Sequence, residues 1–170
     1  MRRSRGAFTG FLLLLLGAWG GLIAFIGPYF HYAYTPDTAW AYTSDRLWLE
    51  ILPGAAVFLG GLLIMLTAIR HLAMFGALLA SAAGAWFALG TVLSPVWNHG
   101  VALGGTPAGT TTTMRIAEQL GFFTGLGVVI VFFAAVAFGR LFTLPPEAAT
   151  EPAEPYSADT APTTVQPTIG

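Results

Sequence analysis

Two glutamates and two arginines form the one pattern in this chain suited to chemistry. Glu50 and Glu118 lie 68 positions apart, Arg46 precedes Glu50 by four residues, and Arg115 precedes Glu118 by three. His31 and His99 follow Pro28 and Pro95 at similar short distances. Two carboxylates, two guanidinium groups and two imidazoles in related places outline a candidate ligand-binding ring. Such a ring suits a small polar or ionic solute, or the handling of a proton.

The same residues also have a structural use. A Glu in the first turn of a helix is favoured by the helix dipole by about 0.3–1 kcal/mol. An Arg one turn earlier adds an ion pair of similarly small worth. Charges also mark where an apolar span meets water, because a charge at the bilayer centre costs at least ~2.5 kcal/mol. Boundary charges are the simpler reading of these residues.

Enzyme signatures are missing from the sequence. It has no Gly-rich phosphate loop ahead of a Lys, no nucleophile elbow and no His-Glu-x-x-His motif. No pair of histidines has metal-ligand spacing on a helix. Asp37 follows Pro36 in a turn signal and reads as a turn residue. No catalytic residue, metal or cofactor is therefore expected.

The elements that must hold these residues are membrane helices. Of 170 residues, 55% are hydrophobic and 9% charged, against about 25% charged in soluble domains. The net charge of -1 offers no basic field to nucleic acid. The chain has no cysteine, which excludes disulfides, thiolate zinc sites and thiol redox chemistry. A spanning helix needs about 20 apolar residues, and four segments qualify: about Phe8 to Phe30, Leu47 to Ile69, Leu72 to Trp97, and Glu118 to Gly139. Each must be helical, because unpaired backbone groups find no water in the hydrocarbon.

Arginines set the expected orientation. Arg2, Arg3, Arg5, Arg70 and Arg140 fall on one side of the spans and only Arg46 and Arg115 on the other. The positive-inside rule then places both termini in the cytoplasm of a cell (inner) membrane. Tyr29, Phe30, Tyr32, Tyr34, Trp40, Tyr42, Trp48 and Trp97 crowd the outer side, where amphipathic rings collect. The basic start and the run Leu12 to Leu16 resemble a signal peptide. No Ala-x-Ala site follows that run, and its repeat mate is internal, so the segment is expected to stay.

That mate belongs to a tandem repeat. Gly17-Ala18-Trp19 recurs as Gly84-Ala85-Trp86, Pro28 as Pro95 and Arg3 as Arg70, each 67 positions on. Repeat 1 covers about 3–69 and repeat 2 about 70–140. Each is a helix pair, an even number of spans, so the halves should be related by a pseudo-two-fold along the membrane normal. The predicted fold is an all-α four-helix transmembrane bundle over 1–143. Residues 144–170, a Pro/Thr/Glu-rich tail, should be disordered in the cytoplasm.

Helices in lipid approach closely at small residues. Gly17 and Gly21, Ala56 and Gly60, the series Gly76, Ala80, Gly84 and Ala88, and Gly121 and Gly125 supply such faces. Intramolecular packing is their first use and a homodimer face on the third span the other. Trp19 and Trp86, near mid-span, are expected to fill the bundle interior.

The first helix of each repeat ends in Gly27-Pro28-Tyr29-Phe30 and Ser94-Pro95-Val96-Trp97, with Gly-Ala-Trp upstream. This resembles the SPW-repeat family of small bacterial membrane proteins, which carry Ser-Pro-Trp in the first of two helices per repeat. In this chain Val96 separates the Pro and Trp of the second copy, and the first lacks both Ser and Trp. From Gly27 through Arg70 the chain also resembles uncharacterised four-span membrane proteins of actinobacteria. The resemblance implies architecture and no activity. With the lipid bilayer as the firm partner, the leading expectation is a non-enzymatic accessory or scaffold subunit, bound to another membrane protein or to a second copy of itself. The alternative is binding or transport of a small polar or ionic solute at the outer mouth.

Overall fold

The computed structural model describes residues 4–35 and 38–143. Arg2, Arg3, Pro36, Asp37 and the tail from 144 lie outside the described residues. Five helical elements account for most of the rest: α1 (Ser4–Ile26), α2 (Ser44–Leu66), α3 (Arg70–Leu93), α4 (Thr112–Phe122) and α5 (Thr124–Thr143). Among the described residues there is no strand, only an isolated bridge between Tyr34 and Pro107. Four stretches are long and apolar enough to cross a membrane: Gly6–Phe30, Ser44–Leu66, Arg70–Val96 and Thr112–Phe142. This is what a multi-pass membrane protein requires.

The helices close into a bundle in which α1 packs on α2, α2 on α3, α3 on α5, and α5 back on α1. Small residues set the approach, as lipid packing demands. A Cβ on Gly54 would meet the Cα of Gly21 at 2.8 Å, and one on Gly17 would meet the carbonyl of Gly54 at the same distance. A Cβ on Gly76 would meet the carbonyl of Gly60 at 2.8 Å, so Gly76 and Ala80 are spent on α2. Gly84 packs against Gly127 and Ile130 of α5. Gly121 leaves room for the Tyr32 ring, and Gly125 lies against Leu120 at the break between α4 and α5. That break falls at Phe123, whose φ of -128° and ψ of -85° leave the helical region.

Trp19 departs from its expected place. It is 45% exposed, so it lies on the flank of the bundle and not inside it. Its indole N–H donates to the carbonyl of Gly121 at 3.2 Å. Trp86, half-buried, donates to the carbonyl of Trp48 at 3.0 Å and stacks on Trp97. Trp19 thus ties α1 to α4, and Trp86 ties α3 to α2. The interior is filled instead by Leu13, Leu49, Val57, Phe87, Phe122, Phe123 and Ile130.

Pro28 and Pro95 each open a short 3-10 turn, Gly27–Phe30 and Ser94–Val96. His31 and His99 follow in the left-handed region at φ 55° and 51°. Histidine is among the non-glycine residues enriched there, and the chain reverses at both. Arg70 and Arg140 sit at the opposite end of the bundle. Arg70 donates to the carbonyl of Phe142, and Arg140 to the hydroxyl of buried Thr9.

Candidate functional site

Both glutamates of the sequence pattern are buried at the same end of the bundle, with Glu50 2% and Glu118 0% exposed. Their helices begin alike. Thr43 caps α2 by accepting from the Arg46 N–H, and Thr111 caps α4 by accepting from the Met114 N–H. The glutamate comes seven residues after the cap in each case. A capping threonine satisfies one of the donors a helix start leaves free, and the second helical turn then carries the carboxylate inward.

From this shared start the two sites diverge. Glu118 Oε2 accepts from the Gly109 N–H at 2.9 Å, and Oε1 from the Ala33 N–H at 3.4 Å. Arg115 grips the same segment, its Nε donating to the Gly109 carbonyl at 2.8 Å. The carboxylate thus clamps the two long loops together. Beside it Thr35 and Thr106 bond through both backbone and side chains, and the Ala108 N–H donates to the Ala33 carbonyl. Tyr32 completes the clamp by donating to the Ala117 carbonyl.

Glu50 lies in a π turn, Leu47–Ile51, in which the Leu52 N–H reaches back five residues to the Leu47 carbonyl. Pro53, buried one residue later, has no N–H for the usual helical bond and crowds the carbonyl four residues before it. Such turns are frequent at functional sites. Glu50 Oε2 is buried and accepts no hydrogen bond among the described residues. Arg46, 4% exposed, donates to the carbonyls of Ala41 at 2.7 Å and Tyr34 at 3.4 Å.

Glu50 and Arg46 line a cleft of about 150 Å³ together with Tyr34, Thr35, Thr43, Asp45, Gly104 and Gly105. The two glycines have φ of 102° and 70°, a region costly for other residues. A Cβ on Gly105 would meet the Thr35 carbonyl at 2.5 Å. The second loop therefore reaches the cleft only because these positions are glycine.

Tyr34 joins the two glutamate sites. It is buried, its ring lies 5.1 Å from those of both Phe122 and Phe123, and its backbone carbonyl holds Arg46. Its phenol is pushed up to about 12, by burial first and then by the negative charges of Glu118, Tyr32 and Glu50. The Tyr32 phenol is raised as well, by burial and by Glu118. Both rings keep their protons in the neutral range.

Of the six candidate residues, the cleft brings together Arg46 and Glu50. Glu118 is close by as a clamp, Arg115 is exposed with its guanidinium on a loop carbonyl, and His31 and His99 are exposed turn residues outside the cleft lining. Among the described residues no group of three or more His, Asp or Glu is placed to hold a metal. Sequence reasoning missed Tyr34, Thr35, Asp45 and the Gly104-Gly105 pair as cleft residues. The only signal for Tyr34 was its place in an aromatic-rich loop, which the membrane boundary already explained. Compared with protein-family models, curated proteins and solved structures, the chain matches none.

Proposed function

We propose that this is a non-enzymatic protein of the cell (inner) membrane, with both termini cytoplasmic, that binds or passes a small polar or ionic solute through a cleft at its outer end. The observation that carries this reading is the buried Glu50 oxygen that accepts no hydrogen bond among the described residues, on a side chain that lines a cleft. Buried polar groups are almost always paired, and a group kept unpaired beside a cleft is suited to a ligand. The accessory-subunit alternative rested on small-residue faces, and Gly17, Gly76, Ala80 and Gly84 face other helices of the same chain. The two Pro-opened turns and the crosswise tryptophan bonds support two SPW-like repeats about a pseudo-two-fold along the membrane normal.

The orientation is testable because the chain has no cysteine. A thiol introduced as Thr110→Cys should react with an impermeant reagent on intact cells, and His71→Cys only after lysis. In-cell cross-linking followed by gentle purification tests the function. Recovery of the chain without a stoichiometric partner is expected, and a fixed partner would return the accessory reading to first place.

A further inference from the structure

We propose that the cleft is a site for one small monovalent cation held against Glu50 Oε2. This rests on the solute-binding reading above and names the class of ligand. A carboxylate oxygen removed from water without a partner is costly. The repeat mate shows how the chain avoids that cost elsewhere, since both oxygens of Glu118 receive backbone N–H groups. The cleft lining around Glu50 includes the hydroxyl-bearing side chains of Thr35 and Thr43. Thr35 and Thr43 each already accept one backbone N–H, and Thr35 also bonds the Thr106 carbonyl and hydroxyl, which orients their hydroxyls. Asp45 supplies a second carboxylate to the lining.

Charge selects the valence. With both carboxyls ionised, Asp45 and Glu50 against Arg46 leave the lining side chains with one net negative charge. The Ala41 and Tyr34 carbonyls are among the groups that hold the guanidinium in the wall, so its positive charge stays beside the cleft. Calcium gathers six to eight oxygens, including several carboxylates, and a fixed cation beside them opposes that. An anion would meet two carboxylates. An alkali ion or ammonium matches both the charge and the hydroxyl and carboxylate groups of the lining residues. The volume of about 150 Å³ holds such an ion with a few waters, each of which takes about 30 Å³ in the liquid.

The test uses the full chain in lipid nanodiscs, unfolded thermally in N-methyl-D-glucamine chloride. Sodium, potassium or ammonium chloride then replaces that salt at constant ionic strength. At about ten times its apparent Kd, one of these cations should raise the midpoint by about 3–6 °C. Which one does so identifies the source. Glu50→Gln should abolish the shift, and Asp45→Asn should weaken the apparent affinity several-fold, a measure that stands even if the Glu50 variant fails to fold. A shift that persists in Glu50→Gln, or an affinity unchanged in Asp45→Asn, overturns the proposal as a general salt effect. Glycine and N-methyl-D-glucamine phosphate serve as the other arms. Stabilisation by either of them that is lost in Glu50→Gln overturns the cation while leaving solute binding intact. Indifference of the unaltered chain to every addition overturns both.

Discussion

The start of α2 and the start of α4 are built from the same parts and end in different states. Each begins with a capping threonine and places a glutamate seven residues later. Their arginines differ by one position, third after the cap in α2 and fourth in α4. One residue turns a helix by about 100°, which carries Arg46 into the protein and Arg115 out of it. Arg115 then holds the Gly109 loop that feeds an N–H to Glu118. Arg46 instead holds the Ala41 and Tyr34 carbonyls, and Glu50 Oε2 is left without such a donor among the described residues. Two helix starts built from the same residue types can thus serve one as a structural clamp and leave the other with unused capacity.

The sharpest break of this comparison is Glu118→Ala against Glu50→Gln. Removing Glu118 strands two buried N–H groups and should cost about 3 kcal/mol, whereas Glu50→Gln removes no hydrogen bond to Oε2 and should stay within about 0.5 kcal/mol in N-methyl-D-glucamine buffer. Reversible unfolding in mixed micelles measures both, and equal losses would erase the distinction between clamp and cleft.

The arginines give the next largest contrast. Arg46→Ala should cost about 2 kcal/mol, because the half-buried Ala41 carbonyl and the buried Tyr34 carbonyl lose their donor, and Arg115→Ala under about 1 kcal/mol at its exposed position. The same unfolding assay ranks them, and the reverse order would overturn the one-residue register argument. The caps should be alike: Thr43→Ala and Thr111→Ala each cost about 1 kcal/mol, and a clear difference would show that the shared start is not equivalent.

The smallest effect is alkaline. The folded Tyr34 phenol titrates near 12 and the unfolded one near its ordinary 10, so the folded state holds the extra proton between these values. The stability this group contributes is complete below about pH 10 and is lost as pH rises toward 12. In Tyr34→Phe that part of the pH profile should flatten, and ultraviolet titration of the phenol should lose its latest step.

Much of this protein was legible because a bilayer imposes a one-dimensional rule. Apolar run length located all four spans, with ends a few residues from the observed Ser44–Leu66 and Arg70–Val96. The fourth came out longer, Thr112–Phe142, because α4 carries polar residues on an exposed face before the apolar run begins. Small-residue spacing marked Gly17, Gly76 and Gly84 as packing positions. The same reasoning erred on Trp19, since depth along a helix does not say which face a residue occupies. The glutamates were visible as a pair, but the histidines were grouped with them by spacing alone, and their left-handed turns point to chain reversal.

Residue order alone sets how many times the chain can cross a membrane, where it turns, and that its charges gather at the ends, because hydrophobic length and the cost of buried charge act locally. Which glutamate oxygens are satisfied and which are not is settled by packing between distant segments. That outcome depends on donors remote in sequence, Ala33 and Gly109 for Glu118, and on Tyr34, Gly104 and Gly105 closing around Glu50. Hydrogen bonds act over about 3 Å, so their partners are fixed by how the loops pack, which no spacing along the chain expresses.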